Sequence, residues 1–504
     1  MLVRLIQGII LVASFSGLSQ VSAQDKNTPG TVGFSVTTMG IATSDKTVPF
    51  WMRTNQNGSL PQSGVSGALV GTFYKAYRTP TDSNERNQKK WDWSAGVQIR
   101  MNAAKSVEAQ IIETFVTAKR GVFELALGRV KDQMGLVDKR LSSGAFSVSG
   151  NALGIPKVSV AIPEYWDIPG TKRFIALKGS FSMGYVGNVE LRDTNFFFAT
   201  EARALYHEKS LYGRLGKPDS RIQLFGGFNH QVMFGDEKRI FGAGFDLSTV
   251  MTAVYALTGK TYGNKNVSSS KIGNHLGSID QALGIRFNNG KLFFYHQFFY
   301  DVGGLAHLNN LKDGLWGLSF APNGGQVRSK VHLKNALFEF LYSKSQGGES
   351  DATITPSGDE DYYNNWVYMG WVYKNENVGN NFLTNKKYMR TELPSYGREF
   401  ITNNRIILGH VASEWRLGRW EVLNRFSFTR NYGTYGTSPI GHSTGSVRNG
   451  SGPPYFEPVN QFSGYLSASR PLKNNLSFGF AVAVDYGQLL YNSAGGMIWL
   501  RKNW

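Results

Sequence analysis

Four short stretches carry the side chains with the most recognisable chemistry. "FNHQ" sets Asn229, His230 and Gln231 in a row, and "GNHLG" adds Asn274 and His275. "YYNNW" offers Tyr362, Tyr363, Asn364, Asn365 and Trp366, and "TRNYGTY" offers Arg430, Asn431, Tyr432 and Tyr435. Carboxamides, imidazoles and phenols donate and accept hydrogen bonds, and tryptophan and tyrosine present flat apolar faces. That combination can hold a hydroxyl-rich ring without breaking a bond in it. The same groups also suit a wide barrel that must fill its interior with a self-satisfied polar network. For each motif the sequence leaves both roles open.

Covalent chemistry is poorly supplied. Eight histidines are scattered along the chain, with no HExxH and no clustered Asp/His metal spacing, and no P-loop or dinucleotide motif is present. A barrel-borne hydrolase would need a Ser–His or Asp–His constellation at one rim, and "GHST" at 441–444 is too weak to carry it. No catalytic residue, metal or cofactor is expected.

These groups need a scaffold, and the scaffold alternates. In "LFGGFNHQVMFG" (224–235), Leu224, Gly226, Phe228, Val232 and Phe234 form one face, broken only by His230. Gly227, Asn229 and Gln231 dominate the other, with Phe225 and Met233. In "WDWSAGVQIRMN", Trp91, Trp93, Ala95, Val97, Ile99 and Met101 oppose Asp92, Ser94, Gln98, Arg100 and Asn102. "LSFGFAVAVDYG" sets Phe478, Phe480 and Val482 against Ser477, Gly479 and Asp485. Strands with two such different faces separate two solvents, and tryptophans at one end suit a membrane interface. Trp93, Val97, Ile99, Phe478, Phe480 and Val482 should face lipid, and Asp92, Gln98, Arg100 and Asp485 should face inward. "KLFFYHQFFYD" is apolar on both faces, so its inner face must be packed by something. His230 should sit near a membrane rim or be turned inward by a bulge, which Gly226-Gly227 favours.

The chain has 504 residues and no cysteine, so disulfides do not hold it. "MLVR", an apolar "LIQGIILVASF" and the small residues of "VSAQ" read as a signal peptide over 1–23, cut after Ala23. Beyond it no run is long and apolar enough for a membrane-crossing helix. Closed barrels are the strand structures that satisfy every backbone group in lipid. We therefore expect an all-β transmembrane antiparallel barrel in the outer membrane, of about 16 to 18 strands. Residues 24–65 lead into it and 66–504 form it. "DLSTVMTAVYALTG" predicts a helical insert near 246–259, with Asp246 as N-cap and Gly259 as stop. It would plug or cap the barrel, or else lie on a long surface loop.

The formal charge of +18 favours acidic partners. For an exported chain these are lipopolysaccharide phosphates and uronic-acid polymers rather than nucleic acid. Basic residues that merely decorate loops and lumen are the plainer alternative.

Several segments together resemble the capsule assembly family of the Wzi type, in its Bacteroidetes-like branch. They include "PFWMRTNQNGSLP", "LSSGAFSVSGNALGIPKVSVAIPEY", "LYHEKSLYGRLGKP" followed by "LFGGFNHQVMFG", "FYDVGGLAHLNNLKDGLWGL", "DYYNNWVYMGWVY" and "FSFTRNYGTYG". The resemblance covers most of the mature chain. It implies an outer-membrane barrel of about 18 strands with short helical plug or cap elements. It also implies a lectin-like, non-enzymatic role in attaching capsular or exopolysaccharide to the cell surface, beside other capsule export proteins. The candidate glycan contacts are then Asn229, His230, Gln231, Asn274, His275, Tyr363, Asn364, Asn365, Arg430, Asn431 and Tyr432. An outer-membrane porin or substrate-diffusion channel is the competing reading.

Overall fold

The computed structural model describes residues 30–62, 64–78, 91–192, 197–301, 303–323, 330–349, 358–444 and 447–504. The expected signal peptide and its cleavage site lie outside them. Eighteen antiparallel strands form one closed sheet. The first nine are β1 (Val32–Thr43), β2 (Ser66–Lys75), β3 (Trp91–Ala103), β4 (Val107–Arg120), β5 (Phe123–Arg129), β6 (Lys157–Asp167), β7 (Ile175–Glu190), β8 (Glu201–Leu215) and β9 (Ile222–Phe234). The rest are β10 (Asn274–Phe287), β11 (Gly290–Tyr300), β12 (Gly314–Pro322), β13 (Val331–Tyr342), β14 (Ile406–Leu417), β15 (Trp420–Asn431), β16 (Val459–Pro471), β17 (Leu476–Gly487) and β18 (Ser493–Asn503). Each pairs with its neighbour in sequence. β1 closes the ring by pairing with β18, from Ser35 opposite Asn503 to Thr43 opposite Gly495. The barrel therefore starts inside the stretch 24–65 that the sequence reads as a lead-in. In β1 the inward face mixes Ser35 and Thr37 with Met39 and Ile41, so its alternation is quiet.

The alternation sorts as the two solvents require. Trp93, Ile99 and Val482 are exposed on the outer face, and Asp92, Arg100 and Asp485 are buried on the inner one. Most connections at the end that holds both described termini are short turns, and the longest ones, between β5 and β6, β9 and β10, and β13 and β14, lie at the other end. Bacterial outer-membrane barrels keep short turns periplasmic and long loops extracellular, which orients the chain. Trp91 and Trp93 mark the periplasmic rim, with Arg120 and Lys75 over their rings.

The long loops do not all rise into solvent. Residues 44–62, 130–156, 343–349 and 358–405 turn back into the barrel. Their side chains share one buried cluster with the inner wall, including Trp51, Phe146, Tyr362, Tyr363 and Trp371 beside Tyr206, Tyr295 and Phe299. This meets the need posed by "KLFFYHQFFYD". Phe299 faces inward, and Phe146 stacks on it at 4.1 Å with rings 10° apart.

The expected helix exists as α3, Thr249–Thr258, following the short α2, Glu237–Phe241. Ser248, not Asp246, is its N-cap, accepting from the Met251 amide, and Gly259 ends it in a left-handed conformation. It is not a lumenal plug. It packs on Val232 and Phe234, which share strand parity with the outward residues Ile222, Leu224 and Phe228. The lumen is occupied by other segments, and apolar spacing alone does not tell a helix which side of a wall to choose.

Candidate functional site

Residues 131–156 cross the lumen and are tied to both sides of it. On one side the Leu136 amide donates to Asp280 Oδ2 at 2.8 Å, where Gln297 Nε2 also donates at 3.0 Å. Ser147 Oγ donates to Asn229 Oδ1 at 2.6 Å. On the other side Ser142 Oγ and the Ser143 amide donate to the two oxygens of Glu339, each at 2.6 Å, and Tyr295 OH donates to Glu339 as well. His410 meets the Leu141 carbonyl at 2.8 Å, and Arg140 pairs with Glu414 at 3.1 Å. A carboxylate accepting several donors is well compensated for its burial. These inward acids are thus latches for the returning loop.

A second segment, from residue 358 to 404, lies over the first. Tyr363 OH donates to the Phe146 carbonyl, Trp371 Nε1 donates to Ser147 O at 2.8 Å, and Asn380 Nδ2 donates to Gly144 O at 2.7 Å. Asp313 accepts from the Ser345 and Gln346 amides and from Tyr362 OH. Burial raises the Asp313 carboxyl to about 7 despite those bonds. The N-terminal turn α1, Phe50–Arg53, enters the same space. There the Phe50 amide donates to Asp485 at 2.7 Å and Trp51 Nε1 to Ser427 at 3.1 Å.

At the extracellular rim a charged cluster joins three loops. His442 Nδ1 lies 3.0 Å from Asp359 Oδ2, and its Nε2 lies 3.7 Å from Glu399 and 4.0 Å from Asp361. Arg192 Nη2 reaches Glu399 at 3.1 Å. Burial, then the neighbouring Asp361 charge, pushes Glu399 up to about 7. Burial alone would lower His442, but Asp359, Glu399 and Asp361 override it and hold the imidazole at about 11. His442, Glu399 and Asp361 are close enough to gather around one cation, yet Arg192 and the protonated imidazole already supply positive charge there. The neighbouring Ser443 Oγ donates to Asp359, not to His442, so "GHST" forms no nucleophile–base pair.

The motifs read from the sequence separate into three places. Asn229, Gln231 and Asn274 are buried on the inner wall, with Asn229 donating to Tyr212 and Ser278. His230 and His275 are on the outer face, bonded to each other at 2.9 Å between Nε2 and Nδ1. No bulge turns His230 inward, because β9 runs in continuous register with both β8 and β10. The insert containing α3 covers it instead. Tyr363, Asn364 and Asn431 are buried in the loop network. Asn364 brackets the Ile401 backbone, and Asn431 donates to Thr429 and the Val459 carbonyl. Asn365 is partly exposed beside Trp366, which is 46% exposed. Arg430 is exposed on the outer face at the top of β15, with its guanidinium 5.9 Å from the Tyr432 ring. The latching acids Asp280 and Glu339 were missed. Their only signal is a single carboxylate at an inward strand position.

Solved structures share this architecture. Wzi of Escherichia coli is described as an outer-membrane protein involved in group 1 capsule assembly and a carbohydrate-binding β-barrel. It superposes with a TM-score of 0.53 at 11% identity, over 93% of this chain and 83% of its own. OccK5 (OpdH) of Pseudomonas aeruginosa and OccAB4 of Acinetobacter baumannii each give 0.45 at 8% identity. They cover 94% and 96% of this chain and 97% and 100% of their own. No protein-family model matches the chain, and no curated protein matches it in sequence. Likeness at this identity defines a fold: the chain is an outer-membrane β-barrel, related in architecture to Wzi.

Proposed function

We propose that this barrel binds capsular or exopolysaccharide and anchors it at the cell surface, as a relative of the Wzi capsule-assembly proteins. The observation that carries the reading is the inward fold of residues 131–156 and 358–404. A barrel whose extracellular loops are latched into its own lumen offers a rigid outer surface, which suits retention better than passage. The charge of +18 draws an acidic polymer to that surface. Arg430, Tyr432, Asn365 and Trp366 then supply a cation, aromatic faces and an amide at its extracellular edge. Asn229, His230, Gln231, Asn274, His275, Tyr363, Asn364 and Asn431 would act from behind, holding the wall and loops that present those groups, unless the loops open to admit the polymer. Each contact is weak, but a polymer repeats its epitope, and a second engagement on the same chain occurs at high local concentration.

The test is direct binding of the producing cell's purified polysaccharide to immobilised, detergent-solubilised protein. Binding should weaken as salt screens the basic surface, and Arg430→Ala should weaken it several-fold with barrel assembly intact. Absence of binding by the unaltered protein at low salt refutes the proposal. A large steady conductance in planar bilayers would favour a diffusion channel instead.

A further inference from the structure

We infer that the outer face of helix α3 is a lipid-contacting surface, which the insert 236–273 lays against the acyl chains of the membrane's outer leaflet. This inference is independent of what the barrel binds. The insert leaves the extracellular end of β9 and returns to the extracellular end of β10. A loop reaching into water would rise from there, but this one folds back down over the outside of its own strands. Lys209 Nζ donates to the Leu257 carbonyl at 2.5 Å. Lys209 stands at mid-strand in β8, four residues below outward Leu205 and two above outward Leu211. At roughly 3.3 Å per residue, the backbone of Lys209 lies about 13 Å along the strand from Leu205, so even with its side chain reaching upward it holds the end of α3 below the level of Leu205. Leu205 and Leu211 are both exposed parts of the lipid-facing belt. The helix is therefore continuous with that belt and level with its outer-leaflet half.

Its composition fits an apolar solvent. Residues 247–259 contain no Asp, Glu, Lys or Arg. The side away from the barrel exposes Val250, Met251 and Val254, by 73%, 43% and 42%. Polar groups in lipid must be satisfied internally, and two hydroxyls of the helix are. Thr252 and Thr258 hydroxyls donate to the Ser248 and Val254 carbonyls. Lys209 takes the Leu257 carbonyl near the open C-terminal end. The charged Asp246 lies before the helix, bonded to Tyr262 and Asn264.

The barrel wall explains why such a cover is needed. Outward positions of β8, β9 and β10 carry His207, Lys209, His230 and His275, on the same face as Leu205, Leu211, Phe228 and Ile279. Polar and charged groups facing acyl chains are destabilising, most of all near mid-membrane. Under the insert His207, His230 and His275 are 0%, 8% and 3% exposed. The insert thus seals a polar notch in the wall and returns an apolar face to the membrane.

The chain has no cysteine, so single cysteines can carry a nitroxide label at chosen sites. Val250→Cys and Val254→Cys would be labelled in full-length protein reconstituted into lipopolysaccharide-containing bilayers. Ile279→Cys on the belt and Lys265→Cys on the exposed part of the insert are the references. Collisional relaxation by oxygen should exceed that by a water-soluble nickel chelate at 250 and 254 several-fold, as at 279, with the order reversed at 265. Water-like accessibility at 250 and 254 overturns the inference. So does exclusion of both reagents, which would mean that protein, a second copy or another partner, covers the helix. Heat-modifiable migration confirms assembly, and either of the two helix sites alone suffices.

Discussion

Replacing Phe146 by alanine should release the lumenal segment 131–156 while leaving the barrel closed. Phe146 is 1% exposed. Its ring stacks on Phe299 at 4.1 Å and meets Tyr362 edge-on at 5.1 Å. Truncating a buried phenylalanine to alanine costs roughly 3–5 kcal/mol. The strands keep their own ladders, so the loss falls on docking of the segment. Each ~1.4 kcal/mol is tenfold in an equilibrium, so the undocked population should rise by about two to three and a half powers of ten. Hydrogen exchange resolves this by region. Protection at residues 134–149 should fall by a factor in that range, while β17 stays as protected as before. Unchanged exchange at 134–149 would refute the reasoning. Equal loss across the whole barrel would also refute it, because the segment would then be part of one cooperative unit with the wall.

Lys157 Nζ lies 2.6 Å from Asp132 and 2.8 Å from Glu208. Lys157→Met strands a Glu208 that is 2% exposed, at a cost of about 3–5 kcal/mol. The thermal midpoint should fall, and adding Glu208→Gln should restore part of it; no recovery would place the loss elsewhere. At the rim, Glu399 and His442 both protonate at higher pH in the folded loops than when free. Their contribution is complete at acid pH, and it is lost as pH rises, first through about 7 and then toward about 11. Exchange protection of residues 399–404 and 434–443, corrected for intrinsic rates, should therefore decline from about pH 6 to about pH 10, and a flat profile contradicts the assignment. The unaltered protein should conduct poorly in planar bilayers, whereas steady porin-like currents would mean that the latched loops do not close the lumen.

The wall was legible in the sequence because a strand between lipid and an inner space must alternate with period two. Trp93, Ile99 and Val482 fell outside and Asp92, Arg100 and Asp485 inside for that reason alone. The helix at 249–258 was legible from its spacing and its stop at Gly259, but its side of the wall was not. That side is set by Val232 and Phe234, whose outward direction needs the strand register. Of the two readings for His230, the bulge fails for the same reason: the strand keeps its register, and a cover rather than a bend removes the histidine from lipid. The lumenal filling was visible only as a demand, in the two apolar faces of 291–301. The latches join residues far apart in sequence, as Leu136 joins Asp280 and Ser142 joins Glu339. A single inward carboxylate carries no mark of such a partner. Most of the amide-rich motifs are structural for a related reason, since a wide barrel filled by its own loops uses many buried hydrogen bonds.

The central claim is retention of polysaccharide, and its most direct measurement is the partition of that polymer between cells and medium in a deletion strain. Anchoring predicts that total polymer is unchanged while the cell-bound share falls and the released share rises, with the unaltered gene restoring the balance. Polymer that stays cell-bound after deletion, or that vanishes from cells and medium alike, contradicts anchoring and points to a channel or an export component.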